Sequence, residues 1–124
     1  MNRDIEFRGL TGSVKGDIWA YGTPYKAESL FSADERYYIR NKHADERIVD
    51  PKTIGQYTGL KDKNGKKIFE GDIVKSKYGV FKSKVEWNDS FCGFLPFCNN
   101  DTGIFADECE VIGNIYENKE LLEG

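Results

Sequence analysis

Apolar and polar positions alternate along this chain in short runs broken by Gly, Asn and Asp. The runs IEFRGL, DIWAYG, RYYIR, RIVD, IGQYTGL, KIFEGDIVKS, VFKSKVEW, GFLPF and CEVIGNIY are rich in β-branched and aromatic residues, the composition of strands. In FKSKVEW the period is two: Phe81, Ser83, Val85 and Trp87 share one face, and Lys82, Lys84 and Glu86 share the other. In VIGNIY, Val111, Gly113 and Ile115 alternate with Ile112, Asn114 and Tyr116. Both faces there are partly apolar, as in a strand covered on two sides. RYYIR and RIVD are predicted as two strands joined by the polar loop 41–46.

Helix signals are thin. Residues 29–33, within PYKAESLFSADERYY, hold helix formers enough for a turn or two. ENKELLEG suits one turn before a fraying end. The tetrad ADER at 33–36 recurs at 44–47, too short a match to define a repeat. Pro51 biases Asp50 to an extended conformation and is read as a boundary. The expectation is a mainly β protein: an N-terminal β-meander over residues 1–50, packed on a compact C-terminal SH3-like β-barrel over 51–124, both in one folding unit. Gly55, Gly59, Gly65, Gly71, Gly79 and Gly113 would allow its turns and close packing.

Composition narrows the function classes. The 124 residues suit one domain, or two small ones sharing a core, and an aromatic share of 14% lets a modest core bury much area per side chain. A net charge of −3 disfavours general nucleic-acid or membrane-surface binding. No apolar run approaches the roughly 20 residues that cross a bilayer, and no signal-peptide apolar region follows Met1. The expected location is the cytoplasm, with no membrane partner. Cys92, Cys98 and Cys109 are odd in number and form no C-x-x-C knuckle; free, mostly buried thiols are expected.

The segment DKNGKKIFEGDIV, residues 62–74, carries residue types used by ligand-binding loops. A calcium loop opening at Asp62 would need an oxygen ligand at position 5, Gly at 6 and Glu at 12. Those positions hold Lys66, Lys67 and Ile73. A phosphate loop would need a G-K-[ST] ending and a helix, and neither is present. Asn64-Gly65 instead suits a hairpin in which both residues accept positive φ. Asn99-Asn100-Asp101-Thr102-Gly103 reads as a long turn rather than a carboxylate cluster. His43, the single histidine, has only polar neighbours and reads as a solvated loop residue. No nucleophile, base and orienter assemble. The expectation is no enzyme, no catalytic residue, no metal ligand and no cofactor.

One segment mixes cations and aromatics. Lys75, Lys77, Lys82 and Lys84 lie beside Tyr78 and Phe81, the side chains that phosphates and bases favour. The segment lacks the Arg that reads base edges in pairs of hydrogen bonds. Lysines on an exposed strand face are its ordinary reading. Charge is split along this half: residues 61–84 have eight Lys and three acids (8 − 3 = +5), whereas 85–124 have one Lys and nine acids (1 − 9 = −8).

The run IVDPKTIGQYTGLKDKNGKKIFEGDIVK, residues 48–75, resembles the signature of the phage YopX family. EFRGL…GDIWAYG near the start and CEVIGNIYENKELLE near the end resemble it too, in the family's order. Together they cover roughly half of the chain. The resemblance implies a β-rich protein carried by bacteriophages and prophages, mainly of Gram-positive hosts, with a tendency to self-associate. It transfers no activity and no functional residue. The chain departs from the family between 11 and 16 and between 90 and 104, where the FCGFLPFCNND region could hold a member-specific contact. The functional expectation is a non-enzymatic phage accessory protein acting in the bacterial cytoplasm by protein association, as a homo-oligomer or on a host protein. The alternative is a nucleic-acid-binding regulator using the Lys75–Lys84 segment.

Overall fold

Trp19–Glu28 is a ten-residue strand, β2, that runs straight through Pro24. Proline is tolerated because β1 (Phe7–Leu10) pairs β2 only from Trp19 to Gly22, so Pro24 lies beyond the last residue that β1 engages. Helix formers in PYKAE therefore belong to a strand. In this computed structural model, residues 5–12, 18–28, 35–77, 79, 81–98 and 103–122 are described. The helical turn expected at 29–33 lies outside them.

Residues Asp4–Gln56 form one compact unit and Tyr57–Gly124 belong to a second. In the first unit β2 pairs β3 (Glu35–Arg40), which pairs β4 (Glu46–Val49), all antiparallel. The order β4-β3-β2-β1 is a meander. Its core is Ala20, Ile39 and Val49, with Tyr37 and Ile54 packed against them. Asp50 is extended (φ −73°, ψ 118°), as a residue before proline should be, and Pro51–Thr53 make a single 3-10 turn. That turn is tied to β1. The Leu10 N–H donates to Thr53 Oγ1 at 2.8 Å, and the Asp50 N–H donates to the Leu10 carbonyl at 2.8 Å.

Strand β5 (Gly55–Lys61) begins in the first unit, where Gly55 and Gln56 face Arg8 and Phe7. Its later residues, in the second unit, pair β6 (Lys67–Phe69). A second sheet has the order β11-β7-β8, formed by Glu110–Asn114, Asp72–Lys75 and Lys82–Lys84. Strands β9 (Glu86–Asn88) and β10 (Gly93–Leu95) make a hairpin. The protein is mainly β with antiparallel sheets, and among the described residues these sheets do not close into a barrel. Ile68, Val74, Val85 and Cys109 form the second core. Each buried Ile or Val there contributes about 1.5–3 kcal/mol.

The single strand expected at residues 81–87 is two. It divides at Val85, whose N–H donates to the Asp72 carbonyl and whose carbonyl accepts from the Gly71 N–H. Val85 is 1% exposed, whereas Phe81 and Trp87, expected on its face, are 42% and 49% exposed. Of the three free thiols only Cys109 is buried; Cys92 is exposed and Cys98 half-buried, which corrects the expectation of mostly buried cysteines. Residues Lys119–Leu122 form the expected terminal turn, in 3-10 geometry.

Candidate functional site

The signature run was the first candidate, and its polar side chains are already engaged by the fold. Thr53, Thr58, Asp62 and Asp72 are all 7% exposed or less. Thr58 Oγ1 donates to the Ile68 carbonyl and accepts from the Leu60 N–H. Asp72 Oδ2 accepts from the Phe69 N–H at 2.8 Å, closing the turn between β6 and β7. Gly71 in that turn has φ +94°, and a Cβ there would lie 2.9 Å from the Tyr116 ring, so a side chain is excluded twice.

Asp62 is the most heavily used. Its Oδ1 accepts from the Asn64 and Lys66 N–H groups at 2.9 Å each, and its Oδ2 accepts from the Val111 N–H at 3.0 Å. Burial pushes the Asp62 carboxyl up, but the three backbone donors together outweigh it and hold the group below the ordinary carboxylate value. A carboxylate with both oxygens so occupied closes a hairpin rather than binding a cation. Gly65 alone takes the left-handed conformation (φ +79°); Asn64 does not, contrary to the two-residue turn expected. The loop has the three-residue form, with a Gly bulge at its end.

The lysine segment is only partly assembled. Lys75 on β7 lies directly opposite Lys82 on β8. Phe81 is 42% exposed in the connecting loop, held by the Ser76 N–H on its carbonyl. Lys84 is paired with Glu86 at 3.3 Å. Lys77 lines a small recess with Ser76, Phe105 and Glu108. Tyr78 lies outside the described residues, as do all four residues of the Asn-Asn-Asp-Thr turn. Of the acids that follow it, Asp107 and Glu108 sit in a 3-10 turn and Glu110 pairs Lys63 at 3.6 Å. Among the described residues no three His, Cys, Asp or Glu side chains converge as a metal site would require.

Two features of the first unit were not anticipated. One is a row across three strands: Tyr25 lies opposite Tyr38, and Tyr38 opposite Ile48, so all three share a face. The tyrosine rings stack at 5.3 Å, and Ile48 is 48% exposed. Arg40 and Glu46, on the same face by register, approach at 3.9 Å. A hydrogen bond to the Glu46 carboxylate, with its charge and some burial, pushes the Tyr25 hydroxyl up to about 12. Alternation in WAYGTPYKAE and RYYIR held this signal, but pairing the two required the register.

The other is a cleft of about 620 Å³ bordered by β2, the end of β3 and the 41–45 loop. His43, read as a solvated loop residue, is exposed and lies in its wall. Nearby, the Arg8 guanidinium sits 4.0 Å from the centre of the Trp19 ring, and Arg8 is 5% exposed. No helix among the described residues is long and apolar enough to cross a membrane.

Comparison with known proteins agrees with the β architecture. The structure is similar to the crystal structure of protein EF1440 from Enterococcus faecalis, with 26% sequence identity and a TM-score of 0.55 over 98% of this chain and 99% of that one. No curated protein matches the chain. A family model described as YopX protein matches residues 13–123, nearly the whole length, and the chain therefore belongs to the YopX family.

Proposed function

We propose that the protein is a non-enzymatic accessory protein of a bacteriophage or prophage, acting in the bacterial cytoplasm through protein association, first with copies of itself. The observation that carries this reading is the Tyr25–Tyr38–Ile48 row on the first unit. A single exposed apolar residue is ordinary, but Ile48 lies in register with two half-buried, stacked tyrosines on adjacent strands, and together they make a patch. Half-exposed Tyr21 and the Arg40–Glu46 pair add the aromatic and arginine content that interfaces favour. Light scattering at micromolar concentration should give a mass above the monomer, and Ile48→Asp should return it to the monomer. A wild-type protein that stays strictly monomeric overturns self-association.

A second reading, nucleic-acid binding through Lys75, Lys77, Tyr78, Phe81, Lys82 and Lys84, goes with an SH3-like character for the second unit. One observation favours it. Like charges placed opposite each other, as Lys75 and Lys82 are, destabilise a sheet unless an anion relieves them. Fluorescence anisotropy with a labelled single strand at low salt decides it. No binding below about 100 μM, the weak end of non-specific affinity, ends this reading.

A further inference from the structure

The cleft of the first unit has the volume, the lining and the fixed walls of a small-molecule site. Its volume of about 620 Å³ falls inside the range of roughly 300–1,000 Å³ typical of ligand pockets. Arg40, Lys42, His43 and Arg47 bring nitrogen-bearing side chains to it, against the carboxylates of Glu6 and Asp45. Arg40 also pairs Glu46 at 3.9 Å, so Lys42 and Arg47 are the cations that the cleft presents beside Glu6 and Asp45. Trp19 and Tyr21, on one face of β2, line it, and Ala20 and Ile39, 7% and 1% exposed, back it from the core.

The walls are set before any ligand arrives. At Gly22 (φ +151°) a Cβ would lie 2.1 Å from the Arg40 carbonyl oxygen, so only glycine lets β2 and β3 approach closely here. The loop that carries Lys42 and His43 is locked by Asn41, whose Oδ1 accepts from the His43 and Asp45 N–H groups at 2.8 and 3.1 Å. Ala44, inside that loop, is held left-handed at φ +65°, a conformation that costs an alanine energy. Arg47 stands opposite Ile39 in the register, on the same face of the sheet. The Arg8 guanidinium fixes the Trp19 ring from one side.

We propose that this cleft binds a small organic anion of mononucleotide form, a flat ring joined to a phosphate. Arginine and lysine side chains suit the phosphate, arginine by paired hydrogen bonds. Trp19 and Tyr21, which line the cleft from one face of β2, suit the ring. Glu6 and Asp45 are placed to accept hydrogen bonds from ribose hydroxyls or ring amino groups. The association row does not include Lys42 or Arg47, so the two ideas fail separately.

Isothermal titration calorimetry of the full chain at low salt, with adenosine or guanosine monophosphate, tests the proposal. Inorganic phosphate and adenosine serve as half-ligands. The expected result is saturable binding of a mononucleotide, with each half-ligand weaker by about tenfold or more. Lys42→Ala and Arg47→Ala, both at exposed side chains, should weaken binding by a similar factor while the melting temperature stays put. In Trp87→Phe protein, Trp19 is the only tryptophan, and its emission should change with the same saturation curve. Three results overturn the proposal: no saturable heat up to about 5 mM nucleotide, below any useful affinity; inorganic phosphate binding as tightly as nucleotide; or unchanged affinity in both variants.

Discussion

Two hairpin loops of this protein have the same construction and different surroundings. In residues 41–45 and in 62–66 the first side chain accepts from the N–H groups two and four positions on: Asn41 from His43 and Asp45, Asp62 from Asn64 and Lys66. In both, the first N–H donates to the fifth carbonyl, and the fourth N–H returns to the first carbonyl. The fourth residue is left-handed in each, Ala44 at +65° and Gly65 at +79°. The Asp62 loop is also bonded outward into its unit. Its spare carboxylate oxygen takes the Val111 N–H, and the Lys63 N–H reaches the Cys109 carbonyl. Among the described residues the Asn41 loop shows no such outward bond, and it borders the cleft. The same local geometry thus anchors a core in one place and presents side chains to solvent in the other.

The difference can be broken by substitution, most strongly at the anchored loop. Asp62→Ala removes three accepted hydrogen bonds and leaves the Val111 N–H unsatisfied; urea unfolding should show a loss of about 3–5 kcal/mol. The fourth position should respond with opposite signs in the two loops. Gly65→Ala meets no atom within 4 Å, so its cost is backbone strain alone, about 1–2 kcal/mol. Ala44→Gly relieves the same strain and should stabilise by up to about 1 kcal/mol, measured as a rise in melting temperature.

Acid separates the loops as well. The carboxyl of Asp62 is held below its unfolded value, so its stabilisation is complete above about pH 4 and is lost as pH falls through the lower folded value. The stability gap between wild type and Asp62→Ala should therefore narrow below about pH 4, whereas Asn41 carries no such dependence. The smallest effect is spectroscopic. Tyr25, hydrogen-bonded to Glu46 just after the exposed loop, should titrate near 12 in ultraviolet absorbance. Glu46→Gln should bring it back toward the ordinary value of about 10.

Much of this contrast was legible in the sequence, but only one side of it. Asp and Gly around KKIFEG mark turns by chemistry that any β-hairpin needs, and RYYIR and RIVD alternate as strands do. The signature run reads as fold rather than site because its polar residues meet backbone donors, which counting positions against a calcium loop already implied. Alternation could not reveal that FKSKVEW breaks at Val85. The break comes from hydrogen bonds to Gly71 and Asp72, more than ten residues earlier. It could not reveal the cleft either, since Ile39 and Arg47 come together only through the register of β3 and β4. Arg8 reads as an ordinary strand cation until the structure buries it against Trp19.

Exchanging the first residues of the two loops tests the central claim most directly: that the shared loop is structural at Asp62 and a surface device at Asn41. Asp62→Asn keeps the size but turns one acceptor into a donor facing the Val111 N–H, and urea unfolding should show a loss of about 1–3 kcal/mol. Asn41→Asp keeps every accepted bond and should fall within about 0.5 kcal/mol of wild type. Equal losses in the two variants, or a neutral Asp62→Asn, would contradict the account.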